Sequence, residues 1–479
     1  MADDPEDGPV RWREILTRRY GAALALVCLG VWLHAADSLL VATMLPAMVA
    51  EIGGHALVAW TIALYEIGSI AAGAASGLLA LRHGVRLPMA AAAIIFALGC
   101  AISAVAPAMW VVLAGRVLQG LGGGGLMALS FVAVSLLFPQ RLMPRAMAAI
   151  STLWGVSAFL GPLVGGLFVE FATWRSGFWF FALQAVALTA WIALGARLET
   201  RRTQAESVGA FPIRRLVLLS AGVVLIAYGG IEVVPLQTAA FVLAGIACLI
   251  VFLRLDAHRP ESRLLPSNPF SLRTTTGSAL AMILCFSIAT IAITAYGPLL
   301  VTILHGTSAL VAGYLVACSS IGWTIFAVLV SGAPERHDPR YIAAGMVMVT
   351  ASIVGFAYAV PNGPIWLIAV FAVMEGGGFG LCWTFILRRA TGLAPATETE
   401  RISSAIPTVQ RLGFALGAAY IGIVANAAGF AESAERSTLL TVASAVFIAS
   451  LPLAGLGLVA TVRFVSARKH ASRVGVGCG

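Results

Sequence analysis

The sequence predicts an all-α membrane protein: two six-helix bundles joined by a linker that carries two further spanning helices, fourteen spans in all. Three observations predict it. First, of 479 residues 60% are hydrophobic and only 11% are charged, whereas soluble chains carry about 25% charged residues. A soluble fold could not hide that much apolar surface, since more than half of any folded surface stays exposed. Second, the apolar runs are continuous over about 18 to 28 residues, the length a membrane helix needs. Closed barrels, the other structure that can span a bilayer, alternate apolar and polar residues instead. Third, the basic residues fall at every second junction between runs, as counted below.

The elements follow in order. A tail, residues 1–19, precedes runs at roughly 20–49, 57–81, 88–106, 109–138, 145–172 and 176–196. These form a first bundle over 20–197. A linker region, 198–273, holds a shorter pair at 214–231 and 235–255, flanked by charged segments Arg197 to Arg215 and Asp256 to Arg273. Runs at 275–304, 308–332, 340–360, 364–390, 402–428 and 437–465 form a second bundle over 274–465, and residues 466–479 are a closing tail. The middle pair is the shortest; without it twelve spans would remain with the same orientation.

Of the 30 Lys+Arg, 26 lie in the two tails or the alternate loops on the tails' side. They include Arg82 and Arg86, Arg141 and Arg145, Arg197, Arg201 and Arg202, Arg336 and Arg340, and Arg468, Lys469 and Arg473. The opposite loops hold only Arg175 and Arg436, and Arg116 and Arg411 lie inside runs. Positive charge marks the cytoplasmic side, so both termini are expected in the cytoplasm and the chain in the plasma (inner) membrane. The acidic opening, Asp3-Asp4-Pro5-Glu6-Asp7, and the length of the first run do not fit a cleaved signal peptide.

This placement of charge assigns the net +9 to topology rather than to nucleic acid. Six of the seven cysteines lie scattered in apolar runs, with no metal-ligand spacing. The seven histidines fall in seven different elements, which argues against a membrane metalloenzyme. The chain's single lysine is Lys469, so a phosphate-binding Gly-Lys-Ser/Thr loop is absent and ATP-driven pumping is excluded. No cofactor or metal is expected. The halves carry related signatures. Gln119-Gly120-Leu121-Gly122-Gly123 in the fourth run is matched by Glu375-Gly376-Gly377-Gly378, and Leu160-Gly161 in the fifth by Leu416-Gly417. Paired repeats suit a carrier whose site lies between them.

Four motifs fall in order along the first half. The first run carries Asp37-Ser38-Leu39-Leu40-Val41-Ala42-Thr43-Met44-Leu45-Pro46. The loop after the second reads Gly77-Leu78-Leu79-Ala80-Leu81-Arg82-His83-Gly84-Val85-Arg86. The fourth carries Gly115-Arg116-Val117-Leu118-Gln119-Gly120, and the fifth Ser157-Ala158-Phe159-Leu160-Gly161-Pro162-Leu163-Val164-Gly165-Gly166. These motifs resemble the major facilitator superfamily, and most closely its fourteen-span drug:proton antiporter branch. Leu81 stands where that family usually has an Asp that helps lock the cytoplasmic gate. The resemblance implies bundles of the major facilitator type, gating roles for Gly77, Arg82, Gly84, Arg86, Gly161, Pro162, Gly165 and Gly166, and a fifth helix that seals the outer side during exchange. Helix packing alone would account for the glycines equally well.

Ionisable groups inside a span cost at least about 2.5–3.5 kcal/mol at the bilayer centre, so each needs a reason. At a rise of about 1.5 Å per residue, Asp37, Glu66 and Glu375 lie within about 6 Å of one another in depth, and Arg116 can reach toward them. Asp37 is expected to carry a proton and Arg116 to tune it, with Glu66 as a second acid or a contact for a cationic substrate. His34, one turn from Asp37 on the same face, could relay the proton. A static salt bridge is the alternative. Tyr65, Trp154 and Glu375 are expected to line the substrate cavity. Arg411 is placed nearer the cytoplasmic end, as a gate or headgroup residue. What the resemblance implies is proton-coupled antiport that exports a hydrophobic or amphipathic small molecule by alternating access. Its partners would be that substrate, protons and the bilayer, without nucleic acid, and the chain would be a monomer. Export of a lipid or metabolite, metabolite uptake, a channel and a membrane enzyme are the other readings.

Overall fold

The computed structural model describes residues 12–17, 20–194, 212–258, 263–395, 398–433 and 435–467. The acidic opening, Arg197, Arg201 and Arg202 of the first linker, and Arg468, Lys469 and Arg473 lie outside the described residues. A one-turn helix α1 (Trp12–Ile15) precedes six long helices, α2 (Gly21–Ile52), α3 (Trp60–His83), α4 (Arg86–Ala104), α5 (Met109–Leu137), α6 (Met143–Phe171) and α7 (Trp174–Leu194). A pair follows, α8 (Ile213–Tyr228) and α9 (Pro235–Ala257). Six more complete the chain: α10 (Thr275–His305), α11 (Ala309–Leu329), α12 (Asp338–Asn362), α13 (Ile365–Gly392), α14 (Thr399–Ala427) and α15 (Arg436–Ser466).

Among the described residues thirteen helices are long and apolar enough to cross a membrane. The fourteenth long helix, α8, has 16 residues, short of the ~20 that span a bilayer. Successive helices run in alternate directions, which gathers the basic side chains at one end, hereafter the arginine-rich end. The two arginines at the far end tie loops together. Arg175 pairs with Glu51 at 2.5 Å and donates to the Ala106 carbonyl at 3.0 Å. Arg436 donates to the Leu304 carbonyl at 2.9 Å.

In the first half α5 packs on α3 and α4, α2 on α6, and α4 on α7; in the second, α13 packs on α11 and α12, α10 on α14, and α15 on α10 and α12. Glycines make the tightest of these contacts equivalent in both halves. A Cβ on Gly120 would lie 2.2 Å from the Tyr65 carbonyl oxygen, and one on Gly376 would lie 1.6 Å from that of Ser319. One turn on, Gly124 faces Ser69 and Gly380 faces the Trp323 backbone. The fourth-run glycine match is therefore a match in space, with α3 equivalent to α11 and α5 to α13.

The extra pair is asymmetric. α8 packs between α3 and α14, whereas only 11% of the most apolar stretch of α9 is buried, so α9 lies on the lipid side of α8. A buried Arg215–Asp256 pair at 2.6 Å joins the two helices, and Asp256 also accepts from the Leu264 and Leu265 amides at 2.9 and 3.0 Å.

The halves meet at the far end. Gly166 abuts Leu310, Gly313 abuts Thr43 and Pro162, and Gly422 abuts Ala59. Asn426 donates to the Ala56 carbonyl at 3.1 Å and to that of Gly230 at 2.6 Å. Contact continues to Arg411 against Ser69 and Gly155 against Thr324. Beyond that level a Cβ on Gly73 or Gly77 would meet nothing within 4 Å. Ser151, Thr152, Ser403 and Ser404, on the corresponding stretches of α6 and α14, are exposed, as polar groups in spans are when they line a watery cavity. The molecule is closed at the far end and open at the arginine-rich end.

Candidate functional site

Four charged residues of the spans, Asp37, Glu66 and Arg116 of the first half and Arg411 of the second, converge well inside their helices. Asp37 lies halfway along α2, fully buried. Arg116 of α5 reaches it with Nη1 at 2.5 Å. The same Nη1 donates to Gln119 Oε1 at 2.5 Å and Nε to the Thr61 carbonyl at 3.1 Å. Gln119 in turn donates to Ser103 Oγ at 3.0 Å, and the guanidinium lies 4.2 Å from the centre of the Tyr65 ring. The fixed fork of arginine can serve these directions together; the point charge of lysine cannot. Asp37 Oδ1 is buried without a partner.

A second cluster adjoins it. Arg411 of α14 donates from Nη1 to Glu66 Oε2 at 3.1 Å and to Ser69 Oγ at 2.9 Å, and from Nη2 to Met127 Sδ at 3.0 Å. Nη2 also lies 2.8 Å from His34 Nε2, and His34 Nδ1 lies 2.8 Å from the Tyr65 hydroxyl. A guanidinium can only donate, so Nε2 accepts. The neutral ring then carries its proton on Nδ1 and gives it to the Tyr65 oxygen, whose own proton points to the His34 carbonyl at 3.2 Å. Trp154 closes the group with its ring edge toward His34, 6.1 Å between centroids.

The structure thus brings together Asp37, Arg116, Glu66, His34, Tyr65 and Trp154, and sets Glu375 apart. Glu375 is buried on α13 against Ser319 of α11, with Oε1 unpartnered. In the repeat it stands where Gln119 stands, and Ala372 occupies the counterpart of Arg116, so the second half has no charge pair there.

Three expectations change. Tyr65, expected to line the cavity, is 1% exposed, because its ring lies under Arg116 and its hydroxyl is held by His34. Glu375, expected there as well, is enclosed within its own half. Arg411, expected near the cytoplasmic end, lies 12 residues into the 29-residue α14 and bridges the halves. Trp154 is 39% exposed and borders the open side. Ser69 and Ser103 are polar partners that no motif singled out, and Gln119, quoted within two motifs, was given no role in the pair.

Of the gating residues, Gly161 and Gly165 pack on α2, and Gly166 and Pro162 meet α11. Gly84 has φ +72, a positive value that suits glycine. Arg86 ties α4 to α7 through the Ile192 and Ala193 carbonyls at 3.1 and 2.7 Å. Arg82 and Leu81 are exposed, and Gly77 faces open space.

Comparison with known proteins places this geometry. A multidrug-efflux transporter of Mycobacterium tuberculosis, named as probable, is 30% identical over 94% of this chain and 95% of its own. The multidrug efflux pump SdrM of Staphylococcus aureus is 24% identical over 86% of this chain and 90% of its own. Among solved structures, the peptide transporter POT matches with a TM-score of 0.68 at 17% identity over 92% of this chain and 94% of that one. The nucleoside transporter NupG matches at 0.64 with 13% identity over 92% and 98%. At such identities the structures show the fold alone. The family profile of the Major Facilitator Superfamily matches residues 27–418, and the chain belongs to that superfamily of membrane transporters.

Proposed function

We propose that the chain is a proton-coupled antiporter that exports hydrophobic or amphipathic small molecules by alternating access. In this reading it works as a monomer in the plasma (inner) membrane, with both termini and the arginine-rich end in the cytoplasm. The observation that carries the reading is the buried Asp37–Arg116 pair with Asp37 Oδ1 unsatisfied. An acid beside an arginine favours its charged form, and burial favours the neutral one. A change in water access from one side to the other shifts that balance, which is what moves a proton in step with a conformational change. The names of the two efflux relatives support the export direction and a broad substrate range. Glu66, the exposed face of Trp154 and the opening beyond them are the surfaces such a substrate would meet.

The test is flux of a fluorescent amphipathic compound in proteoliposomes under an imposed pH gradient. Wild type should concentrate it uphill, while Asp37→Asn should retain only downhill movement and Arg116→Ala should lose at least about tenfold in rate, one decade being about 1.4 kcal/mol. Uphill transport at the normal rate by Asp37→Asn would remove Asp37 from the coupling. Drug susceptibility of cells making the protein, set against lipid export by the same cells, separates the two kinds of cargo.

A further inference from the structure

We propose that His34 and Arg411 form a latch between the two halves that a proton releases; the proposal rests on the antiport reading and assigns its transmission step. Arg411 of the second half forms an ion pair with Glu66 of the first at 3.1 Å. Its contact with His34 Nε2 at 2.8 Å exists only while that nitrogen has a lone pair to offer. A proton arriving on Nε2 sets two donors and two positive charges face to face, so the guanidinium must leave.

Every charged or titratable group around His34 agrees with this. Asp37 lies on its own helix, Tyr65 and Glu66 on α3, Arg116 on α5 and Arg411 on α14, while α6 contributes only Trp154. Two carboxylates face two guanidiniums, so the cluster is neutral with His34 neutral. One added proton leaves an uncompensated charge beside the buried His34 and Asp37, which is costly. Withdrawal of Arg411 toward the watery opening relieves it. Arg411 then lets go of Glu66 and Ser69 on α3 as well, and the α3–α14 seam loses its central tie.

The conformer closed at the far end is therefore the deprotonated one, and acid should depopulate it. The test is pulsed electron paramagnetic resonance on the full-length protein in lipid nanodiscs, with spin labels at Glu170→Cys and Glu432→Cys, exposed far-end sites in opposite halves, on a background lacking native cysteines. As the pH is lowered stepwise from about 8, the short-distance population should give way to a longer one. One linked proton permits at most about tenfold per pH unit. His34→Gln, whose amide oxygen can still accept from Arg411, should stay short at all pH. Arg411→Gln should sit at the longer distance at all pH. A brace without a proton switch would shift the populations but keep the pH dependence, and that result overturns the proposal. So does loss of the pH dependence in Glu66→Gln with its retention in His34→Gln. Proton counterflow measured with an entrapped pH dye tests the antiport reading separately: wild-type flux without proton movement would end that reading, and the distance measurement would still decide the latch.

Discussion

Arg116 is held by three acceptors and an aromatic face, and Asp37 depends on it in return. Removing one partner of a buried pair leaves the other charge uncompensated, at about 3–5 kcal/mol, whereas replacing both with neutral groups is far less costly. Arg116→Gln is therefore expected to lower the melting temperature in detergent sharply. Asp37→Asn with Arg116→Gln should recover most of that loss while transporting without proton coupling. A double variant as unstable as Arg116→Gln alone would show that the pair is not the unit of stability. Asp37 and Arg116 were legible in the sequence because a charge inside an apolar run stands out. Their closeness was legible only through the family resemblance. The partner of Arg411 was not legible at all: Glu66 lies 345 residues away, and nothing in the local pattern of α14 points to α3. Tyr65 misled for a different reason, since an aromatic in a span looks the same whether it faces a cavity or lies beneath a guanidinium.

At the scale of elements, the repeat decides where helices approach closely. Without a hydrophobic force between helices in lipid, small residues at the contact do the work by admitting the neighbouring backbone. Gly120→Ala and Gly376→Ala each place a methyl against a carbonyl oxygen and should destabilise by about 1–3 kcal/mol, as overpacking does. Gly73→Ala and Gly77→Ala face open space and should stay within about 0.5 kcal/mol of wild type. Thermal unfolding followed by intrinsic fluorescence compares the four, and equal shifts would contradict the packing described. The helices themselves were legible from run length, to within a few residues at most boundaries; α8 fell short because the run at 214–231 ends in a turn at Gly229 and Gly230. The repeat reaches further than the glycines. Aligned through α3 and α11, Arg82-His83 and Arg86 match Arg336-His337 and Arg340, and Glu335 stands opposite Leu81. The acid expected at Leu81 is thus present in the second copy of the loop. There Asp338 also binds Arg388 across α12 and α13, so this half carries an acid–arginine tie at its arginine-rich end.

For the whole molecule, the two seams between halves are closed differently. The α3–α14 seam is backed by α8 and held by Arg411 at its centre and Asn426 at its far end. Among the described residues no further helix backs the α6–α11 seam, and glycines close it: Gly166 against Leu310 and Gly313 against Pro162. If transport requires the far end to open, any covalent tie across either seam there must stop it. Ala59 and Gly422 offer the cleanest site. A Cβ on Gly422 would lie 3.0 Å from that of Ala59, slightly inside the ~3.5–4.5 Å of a disulfide, so a few tenths of an ångström of relaxation suffices. The double variant Ala59→Cys with Gly422→Cys, free of other cysteines, should transport when reduced, cross-link readily under a mild oxidant and then stop, with activity returning on reduction. Each single variant should ignore the oxidant. Undiminished flux in fully cross-linked protein would mean that the halves do not part at Ala59 and Gly422, and the rocking of the two bundles about the mid-membrane cluster would have to be abandoned.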